Sequence, residues 1–255
     1  MQDKYQLSHW DKLWTSDDYY AYHNIPLDTD GISQLLLYAL NGALPYQTML
    51  EIGAGPGTRS IPIAKERNLR LSLVDLLESA HYLARKRSKR YGIECEYITG
   101  DALDIPVDDK TYDYTCSIGL NEHFFGEDRK KSFSEMYRVT KTGGKTIVIV
   151  PNKFGSVRLE QAIKEFTGTW TFGPTDLFSY GELNEIMKST GFSKVEMYGV
   201  SVYTQLVRLL PRDIQRKIFK NEKIWSWLVN LPGNFNVNSP INQHFGEEIM
   251  AIGYK

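Results

Sequence analysis

Short apolar segments alternate with longer amphipathic segments between residues 48 and 150. The longer segments are rich in Ala, Arg, Lys, Glu and Leu, as helices are. This alternation is typical of a mostly parallel sheet whose strands are joined by crossover helices. The sequence therefore predicts an α/β fold with five β–α units before Pro151. The predicted strands are residues 48–52, 70–74, 94–99, 112–118 and 145–150.

The segments that follow this series are less regular. The last helix of the series is expected to begin near Asp128 and to end at the turn 141–144, because Gly143 and Gly144 accept the left-handed backbone found just past a helix. After Pro151 the pattern predicts a helical stretch to Thr167 and an aromatic loop. A helix at 180–190 and strands at 194–198 and 248–254 complete the expected elements.

Three regions are predicted along the chain. Residues 1–45 form an N-terminal helical cap, since Trp10, Trp14 and three tyrosines crowd one polar segment there. Residues 46–255 form the α/β domain, with a Pro-bounded helical insertion at 202–243. The insertion carries a basic amphipathic stretch, 212–227, which either lies on a membrane or covers its own domain or a dimer contact.

Size and charge narrow the class of protein. A chain of 255 residues is long enough for one α/β domain with a cap or an insertion, and its net charge of −1 gives no overall attraction to nucleic acid. No apolar stretch reaches the roughly 20 residues that cross a bilayer, and the amino terminus resembles no targeting signal. We therefore expect a soluble, cytoplasmic protein with Cys95 and Cys116 reduced.

A glycine-rich loop follows the first predicted strand. Glu51 is the last residue but one of that strand, Gly53, Gly55 and Gly57 follow it, and a helix begins near Thr58. The glycines let a ligand approach the main-chain N–H groups, and the helix amino end favours negative charge. The loop predicts a site for a polar or anionic ligand. Dinucleotide enzymes use a similar loop, so the glycines alone do not decide which ligand binds.

Acidic residues follow the second and third predicted strands. Asp75 lies about 18 residues beyond Gly57, where a carboxylate can accept hydrogen bonds from both ribose hydroxyls of a nucleoside. Asp101, in Gly100-Asp101-Ala102, is placed to accept the exocyclic amine of adenine. Both carboxylates suit a nucleoside ligand, of either NAD or S-adenosylmethionine; the alternative role for each is to cap a helix.

These motifs together resemble the class I S-adenosylmethionine-dependent methyltransferases, especially the small-molecule group similar to the ubiquinone and menaquinone biosynthesis methyltransferases. The resemblance covers residues 47–150. It is carried by the glycine loop, by Asp75, and by Gly100-Asp101-Ala102. It is also carried by the fourth strand with its exit to Phe124, and by the segment 135–144, which ends in Lys-Thr-Gly-Gly.

The resemblance implies a Rossmann-like seven-stranded sheet whose last strand is antiparallel, with the insertion between the last two strands. It implies S-adenosylmethionine as the cofactor and no metal. The residues that it places at the cofactor are Glu51, Gly53, Ala54, Gly55, Gly57, Thr58, Asp75, Leu76, Asp101, Ala102, Ser117, Ile118 and Gly119.

The acceptor side of the site is predicted less specifically. Methyl transfer from a sulfonium is an in-line displacement that depends mainly on positioning. His123, after the fourth strand, is the candidate general base, with packing as the alternative. Glu122 is either a supporting partner or solvated. The candidate substrate contacts, which otherwise fill the core, are Tyr19, Tyr22, Asn121, Trp170 and Phe172.

Other functions are weighed against this one. An NAD(P)-dependent oxidoreductase would also use Gly53, Gly55 and Asp75, but Gly100-Asp101-Ala102 and the segment 138–144 would then be coincidence. A noncatalytic subunit that binds an adenosyl ligand is the third possibility. The scattered histidines do not predict a metal site. The sequence therefore favours a methyltransferase for a small-molecule or lipid-like acceptor, monomeric or homodimeric, with peripheral membrane contact left open.

Overall fold

The computed structural model describes most of the chain. The described ranges are residues 7–15, 30–168, 170, 173–201 and 236–255. Within 202–235 it describes residues 207, 210, 214, 217, 218, 221, 223, 224, 227 and 231. Three predicted substrate contacts, Tyr19, Tyr22 and Phe172, and most of the predicted insertion lie outside these residues.

Seven strands form one mixed sheet. They are β1 Thr48–Ile52, β2 Arg70–Asp75, β3 Cys95–Thr99, β4 Tyr112–Ile118, β5 Thr140–Pro151, β6 Lys194–Val200 and β7 Glu248–Tyr254. Their spatial order is β3-β2-β1-β4-β5-β7-β6. Strands β1 to β5 pair in parallel, and β7 runs antiparallel to both β5 and β6. The predicted seven-stranded α/β sheet with an antiparallel last strand is therefore confirmed.

Helices connect β1 to β2, β2 to β3 and β4 to β5 as the alternating pattern predicts, but residues 100–111, between β3 and β4, form turns where a helix was predicted. The helices are α1 Leu7–Thr15, α2 Gly31–Ala39, α3 Ser60–Arg67, α4 Glu78–Tyr91, α5 Gly126–Val139, α6 Ser156–Phe166, α7 Tyr180–Thr190 and α8 Pro240–Phe245. Helix α7 begins with a capping box in which Ser179 and Glu182 each satisfy the other's backbone N–H. Within the described residues, no helix has the length and apolar character needed to cross a membrane.

Two buried apolar layers enclose the sheet. One contains Leu50, Ile52, Phe133 and Val148, and the other contains Met49 and Ile147 together with helix α2. Leu35 and Leu36 of α2 are fully buried, and this helix packs against β5, β6 and β7. Leu35 and Leu36 therefore contribute to the core of the sheet, and the bounds of the predicted cap stay a prediction.

The end of helix α5 also differs from the prediction. The helix ends at Val139, and Thr140 already pairs with Tyr112 in the sheet. The next pair is Lys145 with Tyr114, so residues 141–144 form an irregularity within β5, where Gly143 has a φ of +82°. The glycines thus serve a bend in a strand rather than the end of a helix, because β-branched Thr140 enters the sheet first.

Candidate cofactor and acceptor site

The candidate site lies at the carboxyl ends of β1 and β4. The chain passes from β1 outward to β2 and β3 on one side, and continues with β4 and β5 on the other side. Ligands of open α/β sheets bind in the crevice at this switch in strand order. The residues after β1, β2 and β4 that were predicted from the sequence therefore meet at one edge of the sheet.

The glycine loop has the backbone geometry that the sequence predicts. Gly53, Gly55 and Gly57 all have positive φ, of +63°, +51° and +60°. The Gly57 N–H donates to the Ala54 carbonyl at 2.9 Å, and the Ala54 N–H donates to Val74 of β2 at 3.0 Å. A side chain on Gly55 would meet the ring of Trp14 at 3.1 Å. The loop is thus a tight turn, with no side chain at three of its positions, that ends at helix α3, one residue after Arg59.

Asp75 joins the glycine loop to the end of β2. One carboxylate oxygen accepts the Gly55 N–H at 2.8 Å, and the other accepts the Leu77 N–H at 2.9 Å. Burial raises the pKa of this carboxyl, while the backbone hydrogen bonds oppose that rise. Each oxygen keeps a further lone pair, as the two hydroxyls of a ribose require. Leu76, between these contacts, is half-buried.

Glu51 lies beneath the loop, away from solvent. Its side chain is 4% exposed and accepts a short hydrogen bond from the Ser60 hydroxyl at the start of α3. Burial raises its pKa to about 7, against the opposing effect of that hydrogen bond. Arg59 does not pair with it directly, since its guanidinium pairs with Asp30 at 2.9 Å. Glu51 therefore fastens the loop to the helix, and its predicted contact with the cofactor stays a prediction.

The raised pKa of Glu51 predicts a pH-dependent stability. The unfolded chain releases this proton near the ordinary value of about 4.3, and the folded chain near 7. Between these values the folded state binds more protons, so the free energy of unfolding falls as pH rises from about 5 to 7. Replacing Glu51 with glutamine removes this titration. We expect Glu51→Gln to be about 3–4 kcal/mol more stable than the wild type at pH 8, since each pKa unit corresponds to about 1.4 kcal/mol.

Urea unfolding at pH 5, 6, 7 and 8 measures this difference in the ligand-free protein. Glu66→Gln, which changes a carboxylate that is 50% exposed, is the matched control and should follow the wild type. Parallel pH profiles for Glu51→Gln and the wild type would show that Glu51 is already ionised when the chain is folded.

Asp101 caps a turn at the end of β3. Its carboxylate accepts the Leu103 N–H at 2.9 Å, and its backbone forms an isolated β-bridge with that of Asp104. The alternative weighed for Asp101 from the sequence was a helix cap, but the residues that follow it form a turn and not a helix. Ala102 is 8% exposed and packs in the core beside Val74. The predicted contacts of both residues with adenine stay predictions.

The exit of β4 is held by a buried polar chain. The hydroxyl of Ser117 donates to the side-chain oxygen of Asn121, whose amide nitrogen donates to the Ser132 hydroxyl at 3.0 Å. Asn121 is fully buried. These hydrogen bonds fix the turn that carries Glu122 and His123. The contacts found for Asn121 are therefore with other residues of the protein core. Its predicted contact with substrate stays a prediction.

His123 lies under the N-terminal helix. Its ring packs edge-on against Trp10 with centroids 5.3 Å apart, and the Pro174 carbonyl hydrogen-bonds to it. Among the described residues, its Nδ1 atom is buried without a hydrogen-bond partner. Burial lowers its pKa to about 4, so the imidazole is neutral at pH 7 with a free lone pair. This state is compatible with the predicted role as a base, although a pKa of 4 makes it a weak one.

Two tryptophans of α1 are site residues that the predicted set omits. Trp10 and Trp14 stack with centroids 5.6 Å apart, and Trp14 lies on Gly55. Their i, i+4 spacing places them on one face of a helix, which is the signal that could have selected them. Trp170 instead donates its ring N–H to Gly173 at 2.6 Å, within the loop after α6. The described residues contain no group of three or more His, Cys, Asp or Glu that could hold a metal ion.

Comparison with known families identifies the domain. Residues 49–144 match the family described as a methyltransferase domain. This segment contains the glycine loop, Asp75 and the exit of β4. By sequence, residues 49–144 therefore match a methyltransferase domain.

Curated relatives extend this result. The chain is 40% identical over 108 residues to the demethylmenaquinone methyltransferase of Renibacterium salmoninarum, across 42% of each protein. It is 22% identical over 216 residues to the ubiquinone/menaquinone biosynthesis C-methyltransferase UbiE of Escherichia coli, across 71% of this chain and 85% of that protein. The first of these alignments spans less than half the length of the relative.

Solved structures share the fold. A Thermotoga maritima protein described as a methyltransferase, possibly for histamine, superposes with a TM-score of 0.66 at 19% identity, over 97% of this chain and 99% of that one. The phosphoethanolamine N-methyltransferase 2 of Haemonchus contortus superposes with a TM-score of 0.59 at 22% identity, over 88% of this chain and 52% of that one. At these identities, the likeness concerns the fold alone.

Proposed function

We propose that this chain transfers a methyl group from S-adenosylmethionine to a small-molecule or lipid-like acceptor. The observation that carries the proposal is the Asp75 carboxylate, which holds the backbone of the glycine loop at the switch point of the sheet. The matched methyltransferase family and the relatives that act on quinone precursors support it.

The residues at this edge fit an adenosyl ligand. Asp75 has lone pairs for the two ribose hydroxyls, and the positive φ of Gly55 leaves the backbone open to close approach. Leu76 and Ala102 would flank the adenine, with Asp101 near its amine. The methionine part would lie along Gly53 and the end of β4 at Ile118 and Gly119. When bound, S-adenosylmethionine supplies an electrophilic methyl group on a sulfonium.

The chain's own contribution is positioning and exclusion of water. Trp14 covers the glycine loop and Trp10 covers His123. The two rings therefore shield the space between the loop and His123 from water. An in-line displacement gains most of its acceleration from such alignment. His123, neutral and with Nδ1 free, would orient the acceptor or accept a proton from it. The cytoplasmic location, the oligomeric state and any membrane contact through 202–243 stay predictions.

Calorimetric titration tests the proposal. Purified protein is titrated with S-adenosylmethionine, S-adenosylhomocysteine and NADH in parallel. We expect micromolar binding of the two adenosyl ligands and none of NADH. Binding of NADH alone would contradict the proposal and support an oxidoreductase; binding of the adenosyl ligands without turnover on any acceptor would support a noncatalytic subunit.

A further inference from the structure

Glu122 is a buried acid at the exit of β4 that the proposed function does not yet use. The residue is 4% exposed, and among the described residues its Oε2 atom has no hydrogen-bond partner. Buried polar atoms in native proteins are nearly always paired. An unpaired carboxylate oxygen at this depth costs free energy, which a ligand can recover by donating a hydrogen bond to it.

The neighbouring cation, Arg129, forms no direct ion pair with the Glu122 carboxylate. Arg129 of α5 acts on it electrostatically, but the Arg129 guanidinium pairs with Asp176 at 2.9 Å and donates to the Phe124 carbonyl at 2.9 Å. The same guanidinium stacks over the ring of Phe178 at 4.2 Å. The hydrogen bonds of Arg129 are thus made with Phe124 and with Asp176 in the loop before α7. Within the part of the chain that the structure describes, the Glu122 carboxylate has no counter-ion in direct contact.

The Glu122 carboxylate takes one backbone hydrogen bond, from the N–H of Glu122 itself, and the other contacts that shape the turn come from elsewhere. The backbone carbonyl of Glu122 accepts the Asp176 N–H at 2.8 Å, and the Asn121 side chain supplies the remaining contacts to β4 and α5. A glutamine or an apolar residue would fill the same place without the cost of burying a charge. A purely structural role therefore leaves the acid unexplained.

The position of the carboxylate places it at the reacting end of the site. Its Oε1 atom lies 3.5 Å from the point where a Cβ of Gly119 would stand, and Gly119 has a φ of +66°. The next residue, Leu120, lies against Gly53 of the glycine loop. The acid is therefore close to the switch point between β1 and β4, where the methyl donor and the acceptor must meet.

We propose that Glu122 is a catalytic residue that takes a proton from the N–H or O–H group of the methyl acceptor. This inference rests on the proposed methyltransferase function and deepens it. From an ammonium or a hydroxyl group, the acceptor proton passes to Oε2, and the lone pair that this leaves on nitrogen or oxygen forms the bond to the methyl carbon. The bond from that carbon to sulfur breaks with its electron pair kept by sulfur. The proton on Glu122 then returns to solvent.

The protonation behaviour of Glu122 agrees with this role. Burial raises its pKa to about 7, and the charged side chains that face the turn are Arg129 from α5 and Asp176 from the preceding loop. A base is most useful when its pKa lies near the working pH. Because the ionised form accepts the proton, activity should fall as pH decreases below about 7 and level off above it.

A titration of the carboxyl itself tests the proposal without an acceptor assay. The full chain, labelled with ¹³C at glutamate carboxyls and saturated with S-adenosylhomocysteine, is followed by NMR from pH 4 to 9. Glu122 is assigned by the signal missing in Glu122→Gln. We expect a titration near pH 7 that falls by about one pH unit in the presence of a proton-bearing probe.

Benzylamine and benzyl alcohol are the two probes. A shift with benzylamine assigns an amine acceptor, and a shift with benzyl alcohol assigns a hydroxyl acceptor. A titration at the ordinary value for glutamate, or no shift with either probe, overturns the proposal. Glu127→Gln is the matched control, because that side chain is 87% exposed on the same chain segment.

Calorimetry separates this proposal from the proposed function. Wild-type binding of S-adenosylhomocysteine tests the methyltransferase site alone. Glu122→Gln should bind that ligand within about twofold of the wild type, which also shows that the variant is folded. A tenfold or greater loss in Glu122→Gln would mean that the acid serves the methyl donor, and would overturn its role toward the acceptor.

Discussion

Replacing Asp75 with alanine is expected to weaken the binding of S-adenosylhomocysteine about 100-fold. Two hydrogen bonds from ribose hydroxyls to a carboxylate contribute roughly 1.5–3 kcal/mol each, and every 1.4 kcal/mol is a factor of ten in affinity. The change also removes the acceptor for the Gly55 and Leu77 N–H groups, which loosens the glycine loop. Isothermal titration calorimetry measures the dissociation constant of each variant.

The control for this prediction is Asp108→Ala. Asp108 is an exposed aspartate in the loop before β4, and its contact to Thr111 uses only its backbone carbonyl. Its loss should leave the dissociation constant unchanged. If Asp75→Ala binds S-adenosylhomocysteine as well as the wild type does, the ribose does not lie at the end of β2.

Gly199→Ala is expected to lower the free energy of unfolding by at least about 3 kcal/mol. A Cβ at this position of β6 would stand 2.1 Å from the Asn242 carbonyl oxygen and 2.4 Å from its carbon. Both are backbone atoms of helix α8, so no side-chain rotation relieves the contact. Overpacking usually costs about 1–3 kcal/mol, and here the backbone itself must move. Urea denaturation measures the change.

Gly181→Ala is the matched control for the packing of Gly199. Gly181 lies in helix α7, and a Cβ there would have no atom within 4 Å. Alanine favours a helix over glycine by roughly 1 kcal/mol, so this variant should be as stable as the wild type or more stable. A loss below about 1 kcal/mol in Gly199→Ala would contradict the close packing of α8 on β6.

Much of the sheet could be predicted because each strand carries a local signal. Residues 48–52 and 112–118 are short segments rich in residues that favour strands, and both strands have the predicted bounds. The end of α5 had no such signal, because Thr140 is compatible with either a helix or a strand. Thr140 joins the strand because it pairs with Tyr112, a residue that is distant from it in the sequence.

The candidate site divides in the same way. The glycine loop and Asp75 could be found because the turn and the strand end require those residue types at that spacing. The burial of Glu122 could not be predicted from the sequence, since a charged residue in a turn is usually exposed. Trp14 was visible only as one of several aromatic residues, and its contact with Gly55 depends on how α1 crosses the edge of the sheet.

Helix α1 has a consequence for how such an enzyme changes over evolution. It contains no fully buried residue, yet Trp10 and Trp14 lie on His123 and on the glycine loop. Substitutions in residues 7–15 therefore alter the surroundings of His123 and the glycine loop without removing an apolar side chain from the core. Selection for a new acceptor can act on this helix almost independently of selection for folding, so one scaffold can diverge in substrate while its sheet stays intact.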